Sequence, residues 1–190
     1  AITPELKEVG SRLVLLGKRR DELGASEFYR VLGVATPSAG VAGMLGANVP
    51  KADFSRAKAE IDTVLELIEA GLAVSCHDIS DGGLGVCVLE MALGYRAEGK
   101  IGVEMDIARV GVDVTLSLSK GDKPRDHSMV RQAHHDILKK LFSETQGFVV
   151  EIPEQHYESA QKIAQHHGAE WVELGRTVSE STFTLRDTPI

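Results

Sequence analysis

The chain has 190 residues, a formal net charge of −7 and a pI near 5.5. That length can bury a sizeable core as one domain, and the acidic balance argues against a general nucleic-acid surface, which needs a basic face. With no secretory signal and no apolar run of about 20 residues, nothing in the sequence is expected to enter a membrane.

In chain order, residues 11–16 (SRLVLL) read as a strand closed by Gly17. Lys18, Arg19 and Arg20 follow as a basic loop, whose ordinary reading is solvated charge. A short helix is expected over residues 27–32 behind Ser26, and a loose Ala/Gly/Pro/Val connection over 34–50. Residues 53–70 carry the clearest helix: Ala57, Ile61, Val64, Leu65 and Ile68 recur at helical spacing, Asp53 or Ser55 offers a cap, and Gly71 ends it.

Next comes LAVSCHDISDGGLGVCVLEMAL over residues 72–93. Leu72, Ala73 and Val74 suggest a strand, the residues from His77 to Gly83 a turn, and the apolar run from Leu84 to Leu93 a helix covered by protein all round, with Leu89 buried mid-way. Glycines and free helix-start amides make an anion seat at Gly82 and Gly83. Two carboxylates, Asp78 and Asp81, stand at the same place and would repel a phosphate unless a cation lay between them. The turn therefore reads as a site for a metal-bound phosphate. Asp78, at the end of an apolar strand, is expected to be partly buried. Asp81 is either a metal ligand or a helix cap, and Ser80 either orients a carboxylate or closes the turn. His77 is read as a hydrogen-bonded strand-end residue. Cys76 and Cys87 form no Cys-x-x-Cys pair and read as reduced core residues of a cytoplasmic protein.

Residues 101–107 alternate as a half-buried strand does. The polar stretch 117–136 holds Lys120, Lys123, Arg125, Arg131, His127, His134 and His135, but no Cys or spaced carboxylate set completes a zinc pattern, so a loop leading into a helix is expected. Ile137, Leu138, Leu141 and Phe142 continue that helix. Residues 148–152 (FVVEI) are a strand, and Pro153 opens a helix with Tyr157, Ala160, Ile163 and Ala164 inward and Gly168 at its end. Short strands are expected over 171–174 and 182–185. The order predicts an α/β (mixed α+β) fold, a mixed sheet with packed helices, as a single domain over 1–190. A start in AITPELKEVG without Met is expected for a piece of a longer chain.

These segments resemble a known superfamily. HDISDGGLGVCVLEMAL is similar to the His-Asp-x-Ser-Asp-Gly-Gly-Leu signature of the carboxy-terminal domain shared by aminoimidazole ribonucleotide synthetase, selenophosphate synthetase, the hydrogenase maturation factor HypE and formylglycinamide ribonucleotide amidotransferase (phosphoribosylformylglycinamidine synthase). TPELKEVGSRLVLLGKRRDELGASEFYRVLG and LKKLFSETQGFVVEI resemble segments of the final domain of the last of these. The resemblance implies a ligase of purine biosynthesis. ATP phosphorylates the amide oxygen of formylglycinamide ribonucleotide, and glutamine-derived ammonia displaces phosphate to give the amidine.

It further implies Mg2+, ATP or ADP shared with a preceding ATP-binding domain, and a glutaminase domain or subunit as partner. Carried over by position, the metal-ligating Asp of the family falls on Asp78 and its substrate-contacting segment on Glu144, Thr145 and Gln146, with Thr145 where the family pattern has Ser; beside these, the turn itself reads as offering Asp81 as a second metal ligand and Ser80, Gly82 and Gly83 as phosphate contacts. No catalytic residue is assigned. In large members this second cleft holds a structural nucleotide, so these residues serve either anchoring or turnover. No Gly-x-x-x-x-Gly-Lys-Ser/Thr loop and no glutaminase cysteine is present, so the chain by itself is expected to be inactive. The alternatives are another ATP-dependent member of the superfamily, such as selenophosphate synthetase or HypE, or a noncatalytic interaction domain completing a synthetase core.

Overall fold

The structure, a computed structural model, describes residues 2–35, 48–94, 101–113 and 129–187, with backbone only over 33–35 and 129–135. The connection at 36–47 and most of the polar stretch, including Lys120, Lys123, Arg125 and His127, lie outside the described residues, as do the side chains of Arg131, His134 and His135.

The organising strand is β1 (Arg12–Leu16), whose sequence RLVLL has no polar residue after the first. A strand apolar on both faces must be covered on both. Leu13 and Leu15 enter one core, with residues of α3 (Gly83–Leu93) and α4 (Met129–Phe142). Val14 and Leu16 enter the other, with residues of α2 (Phe54–Glu69) and α5 (Tyr157–His167). All four side chains are 0% exposed, and full burial of each is worth about 1.5–3 kcal/mol.

Around β1 the six-stranded sheet runs β3 (Ser75–Asp78), β6 (Phe148–Ile152), β1, β7 (Trp171–Val178), β4 (Gly102–Asp106), β8 (Phe183–Arg186). Neighbours are antiparallel except β4 and β8, which are parallel. A two-residue parallel pair, β2 (Arg19–Arg20) with β5 (Val112–Asp113), forms a second small sheet. Helix α1 (Glu27–Ala35) completes the described elements besides two 3-10 turns, one of which, Glu154–His156, precedes α5. This is the mixed sheet with packed helices that the element order implies.

Three sequence expectations are corrected. Helix α2 starts at the Asp53 cap, whose carboxylate accepts from the Arg56 amide, but its inner face is Glu60, Thr63, Val64 and Leu67. Ile61 and Leu65 are 45% and 53% exposed. Val64 and Leu67 enter the core on that face, with Ile68 packed at its edge, and Gln146 Nε2, 3.3 Å from the Glu60 carboxylate, gives the buried acid a hydrogen-bond partner. Second, α3 is not covered all round. Leu89 and Leu93 are 40% and 52% exposed, because the helix lies flat on the sheet with Leu84, Cys87, Val88 and Met91 beneath it. Third, the strand before the glycine turn begins at Ser75 rather than Leu72 and carries His77 and Asp78 within it.

The cysteines are free and sit on opposite sides of the sheet, Cys87 buried among the α3 core residues and Cys76 half-buried against the α2 and α5 core. Burial pushes the Cys76 thiol up to about 12, which keeps it protonated and unreactive at neutral pH.

Candidate functional site

Strand β3 pairs with β6 through Asp78 opposite Phe148, so the glycine turn emerges at the same sheet end as the segment 143–147 that leads into β6. Residues far apart in sequence meet there for that reason. Ile79 N donates to Gly147 O at 2.9 Å and fixes the turn to the segment.

Asp78 is 66% exposed, which corrects the expectation of partial burial. The outward side of an edge strand end leaves its carboxylate in solvent. Its partner is the neighbouring His77: Nδ1 lies 2.8 Å from Asp78 O and 3.5 Å from Oδ1, while Nε2 lies 3.4 Å from Glu90 Oε2. Asp81 and Ser80 are also exposed. Asp81 does not cap α3; the cap position is Gly82, at φ +83°, with no side-chain cap bond. The turn closes through Gly83 N donating to Ser80 O at 3.0 Å.

Gly83 is required by close approach. A Cβ there would stand 2.7 Å from Leu141 O and 2.8 Å from Ser143 O, at φ +71°. The two helices α3 and α4 therefore meet backbone to backbone, and α4 delivers the segment Ser143 to Gly147 against the turn. On that segment the Glu144 carboxylate oxygen Oε1 accepts from Gly82 N at 2.9 Å and from Glu27 N at 2.8 Å. One side chain thus ties the starts of α3 and α1 together. Ser26 caps α1 as well, with Tyr29 N donating to its Oγ at 3.4 Å.

Thr145 faces inward at 4% exposure, where its hydroxyl donates to Glu22 Oε2 at 2.9 Å and lies 2.6 Å from Ser143 Oγ. Gln146 binds Asp53 O and Glu60 through Nε2, and so reaches α2. Of the three segment residues, then, only Glu144 reaches the glycine turn; Thr145 and Gln146 brace the segment from behind.

What the sequence did not disclose is Arg19. It is 0% exposed rather than solvated, and its guanidinium donates to the carbonyls of Ser143 (3.2 Å), Thr145 (2.7 Å) and Gln146 (2.8 Å). Three bonds from a planar fork fix the shape of the segment. Burial pushes the group down to about 10, so it remains charged at neutral pH. Neighbouring Arg20 pairs with Asp53 and Glu22. A charge run in sequence gives no sign of which arginine turns inward. Burial raises the Glu60 carboxyl above its ordinary value, against the Gln146 bond and the attraction of Arg19. Glu151 was also missed: fully buried on β6, it accepts from Lys7 N, Glu8 N and Ser75 Oγ and so pins the amino-terminal segment across the sheet.

Among the described residues no three His, Cys, Asp or Glu side chains cluster as a closed metal cage. Exposed Asp78 and Asp81 are nevertheless the donor chemistry Mg2+ uses, since that ion takes one or two carboxylates and fills its shell with water and phosphate oxygens. The residues present fit such a shared site and not a self-contained one.

Residues 8–188 match the family described as AIR synthase related protein, C-terminal domain. The chain belongs to this family. Among curated proteins it is similar to phosphoribosylformylglycinamidine synthase subunit PurL of Methanothrix thermoacetophila, 33% identical over 187 residues, covering 98% of this chain and 20% of that protein. The PurL subunit of Pyrococcus furiosus is 33% identical over 187 residues, covering 94% and 21%. The chain thus spans about a fifth of the length of these relatives. Its fold is like that of Thermotoga maritima phosphoribosylformylglycinamidine synthase II, with a TM-score of 0.64 at 16% identity over 98% of this chain and 25% of that one. It is also like that of T. maritima PurL complexed with FGAR, with a TM-score of 0.64 at 18% identity over 98% and 27%. Among the described residues no helix is long and apolar enough to cross a membrane.

Proposed function

We propose that residues 1–190 act as one domain, the carboxy-terminal domain of a cytoplasmic PurL-type ligase, and supply part of a cleft for magnesium-bound phosphate. The ligase converts formylglycinamide ribonucleotide, ATP and glutamine-derived ammonia to the amidine, with a preceding ATP-binding domain and a glutaminase as partners. One observation carries the reading: Asp78 at the end of β3 and Asp81 in the turn before α3 are both exposed, and no lysine or arginine among the described residues bridges to Asp78. Two exposed carboxylates in and beside the turn that opens a helix suit a cation that also binds phosphate. When bound, Mg2+ would neutralise charge developing on phosphate oxygens.

The chain's own residues do the holding. Asp78 and Asp81 offer oxygens, Ser80 offers a hydroxyl at the turn, and Gly82 and Gly83 let the backbone follow the tight start of α3. Glu144, Thr145, Gln146 and Arg19 keep the opposite wall in place.

A second reading, an interaction domain that completes a synthetase core, is favoured by the apolar stripe of Phe54, Ile61 and Leu65 on α2, exposed at 84%, 45% and 53%. The test grafts this chain onto the Methanothrix PurL subunit in place of its matching segment. The graft should make product from ATP, ammonia and formylglycinamide ribonucleotide, while the chain alone makes none. Asp78→Asn in the graft should keep the fold and weaken Mg2+-dependent ADP binding at least tenfold by calorimetry. Unchanged binding would assign the turn to structure and leave the interaction reading.

A further inference from the structure

Arg19 is fixed to the segment 143–147 by its two terminal nitrogens, yet its third, Nε, is buried without a hydrogen-bond partner among the described residues. A charged guanidinium that gives up water at one N–H and gains no acceptor there is costly, and such a group calls for an occupant beside it. The same side chain lines a cavity of about 230 Å³ where the two sheets meet. Strands β1 and β7 contribute Leu15 and Val172, β2 and β5 contribute Arg19 and Asp113, and Val110 joins them from the connection between β4 and β5. Leu15 and Val110 are fully buried, so the lining is apolar apart from a few charged groups. Gly111 leaves its side of the cavity bare, since a Cβ there would meet nothing within 4 Å.

We propose that this cavity is a ligand site, separate from the glycine turn, for a small monocarboxylate with a short apolar stem. Arg19 Nε donates to a carboxylate oxygen, and the stem lies against Leu15, Val110 and Val172. An apolar lining with a few placed polar groups is what a small-molecule site needs. A single water, whose share of the liquid is about 30 Å³, would satisfy Nε but leave most of the cavity unfilled. The charges select a monoanion: Lys18, Arg19 and Arg109 against Asp113 and Glu170 leave one positive charge in the lining. A dianion such as phosphate would meet the same two carboxylates with twice the repulsion. Lys18 Nζ stands 3.0 Å from Glu170 and 3.7 Å from Asp113, and it is the second cation that a bound carboxylate draws. Arg109 is already paired with Glu173 at 3.3 Å and adds field rather than a bond.

The test records proton–nitrogen correlation spectra of the 190-residue chain, arginine Nε–H signals included, against sodium butyrate as probe. Sodium chloride at equal ionic strength is the control, and no magnesium is present. Butyrate should displace the Arg19 Nε–H signal and the Gly17 and Gly111 amides along one saturable curve, and chloride should not. Lys18→Ala should weaken the apparent affinity at least threefold, and inorganic phosphate should bind the unsubstituted chain at least fivefold more weakly than butyrate. An Arg19 Nε–H signal that stays still, or that moves equally with chloride, would overturn the proposal, because the cavity would then hold water alone. Shifts centred on Gly82 and Glu144 would also overturn it, because butyrate would then sit at the helix starts. So would an unchanged affinity in Lys18→Ala, or phosphate binding as well as butyrate, since either removes the charge selection. Should Lys18→Ala not fold, Lys18→Gln removes the charge and keeps most of the stem, and the same threefold criterion applies.

Discussion

Replacing Gly83 by Ala should destabilise the protein severely, while the same change two residues on should not. At Gly83 the backbone is left-handed (φ +71°), which costs an L residue roughly 1–2 kcal/mol. The added methyl would also stand 2.7 Å from Leu141 O and 2.8 Å from both Phe142 C and Ser143 O, all backbone atoms that no rotamer change can move. Overpacking of that kind costs typically about 1–3 kcal/mol, so the sum is about 2–5 kcal/mol. At Gly85 a methyl would meet Leu141 Cβ and O at 3.5 Å, ordinary contact, and helix propensity favours Ala over Gly by about 1 kcal/mol. Urea unfolding followed by circular dichroism measures both. The midpoint should fall for Gly83→Ala and stay or rise for Gly85→Ala. Equal midpoints for the two variants would refute the close approach of α3 to the end of α4, and with it the route by which Glu144 is brought to the turn.

Other consequences concern the cores and pH. Leu84→Ala, at a position 0% exposed, should cost about 2–5 kcal/mol, while Leu89→Ala, 40% exposed, should cost about 1 kcal/mol; matching denaturation midpoints would mean that α3 buries the other face. Glu60 is held above its ordinary value mainly by burial. The folded state therefore binds the proton more tightly than the unfolded chain. Stability falls as pH rises from the ordinary carboxylate value through the raised folded one. Glu60→Gln should flatten stability against pH across that window and leave the protein at least as stable above it. A variant that keeps the slope would assign it to another group.

Much of the architecture was legible because it is local. An apolar strand of four consecutive core residues, an Asp-capped helix and FVVEI followed by Pro153 each carry their own periodicity or stop signal, and the structure puts elements where those signals lie. The His77 to Leu84 signature likewise marked the turn between β3 and α3, because that arrangement is contiguous. Tertiary structure decided what no local pattern encodes. That Glu60 lies on the buried face of α2 was not legible locally, because its partner Gln146 lies 86 residues away. Whether a charge in GKRRDE is solvated depends on three carbonyls more than 120 residues away, and these take Arg19 into the core. Helical spacing counts apolar residues and is blind to such long-range polar pairing. The occupant of the Gly82 amide was equally hidden. A glycine turn announces free N–H groups, but only the packing of α4 against Gly83 brings Glu144 within 2.9 Å to fill one of them.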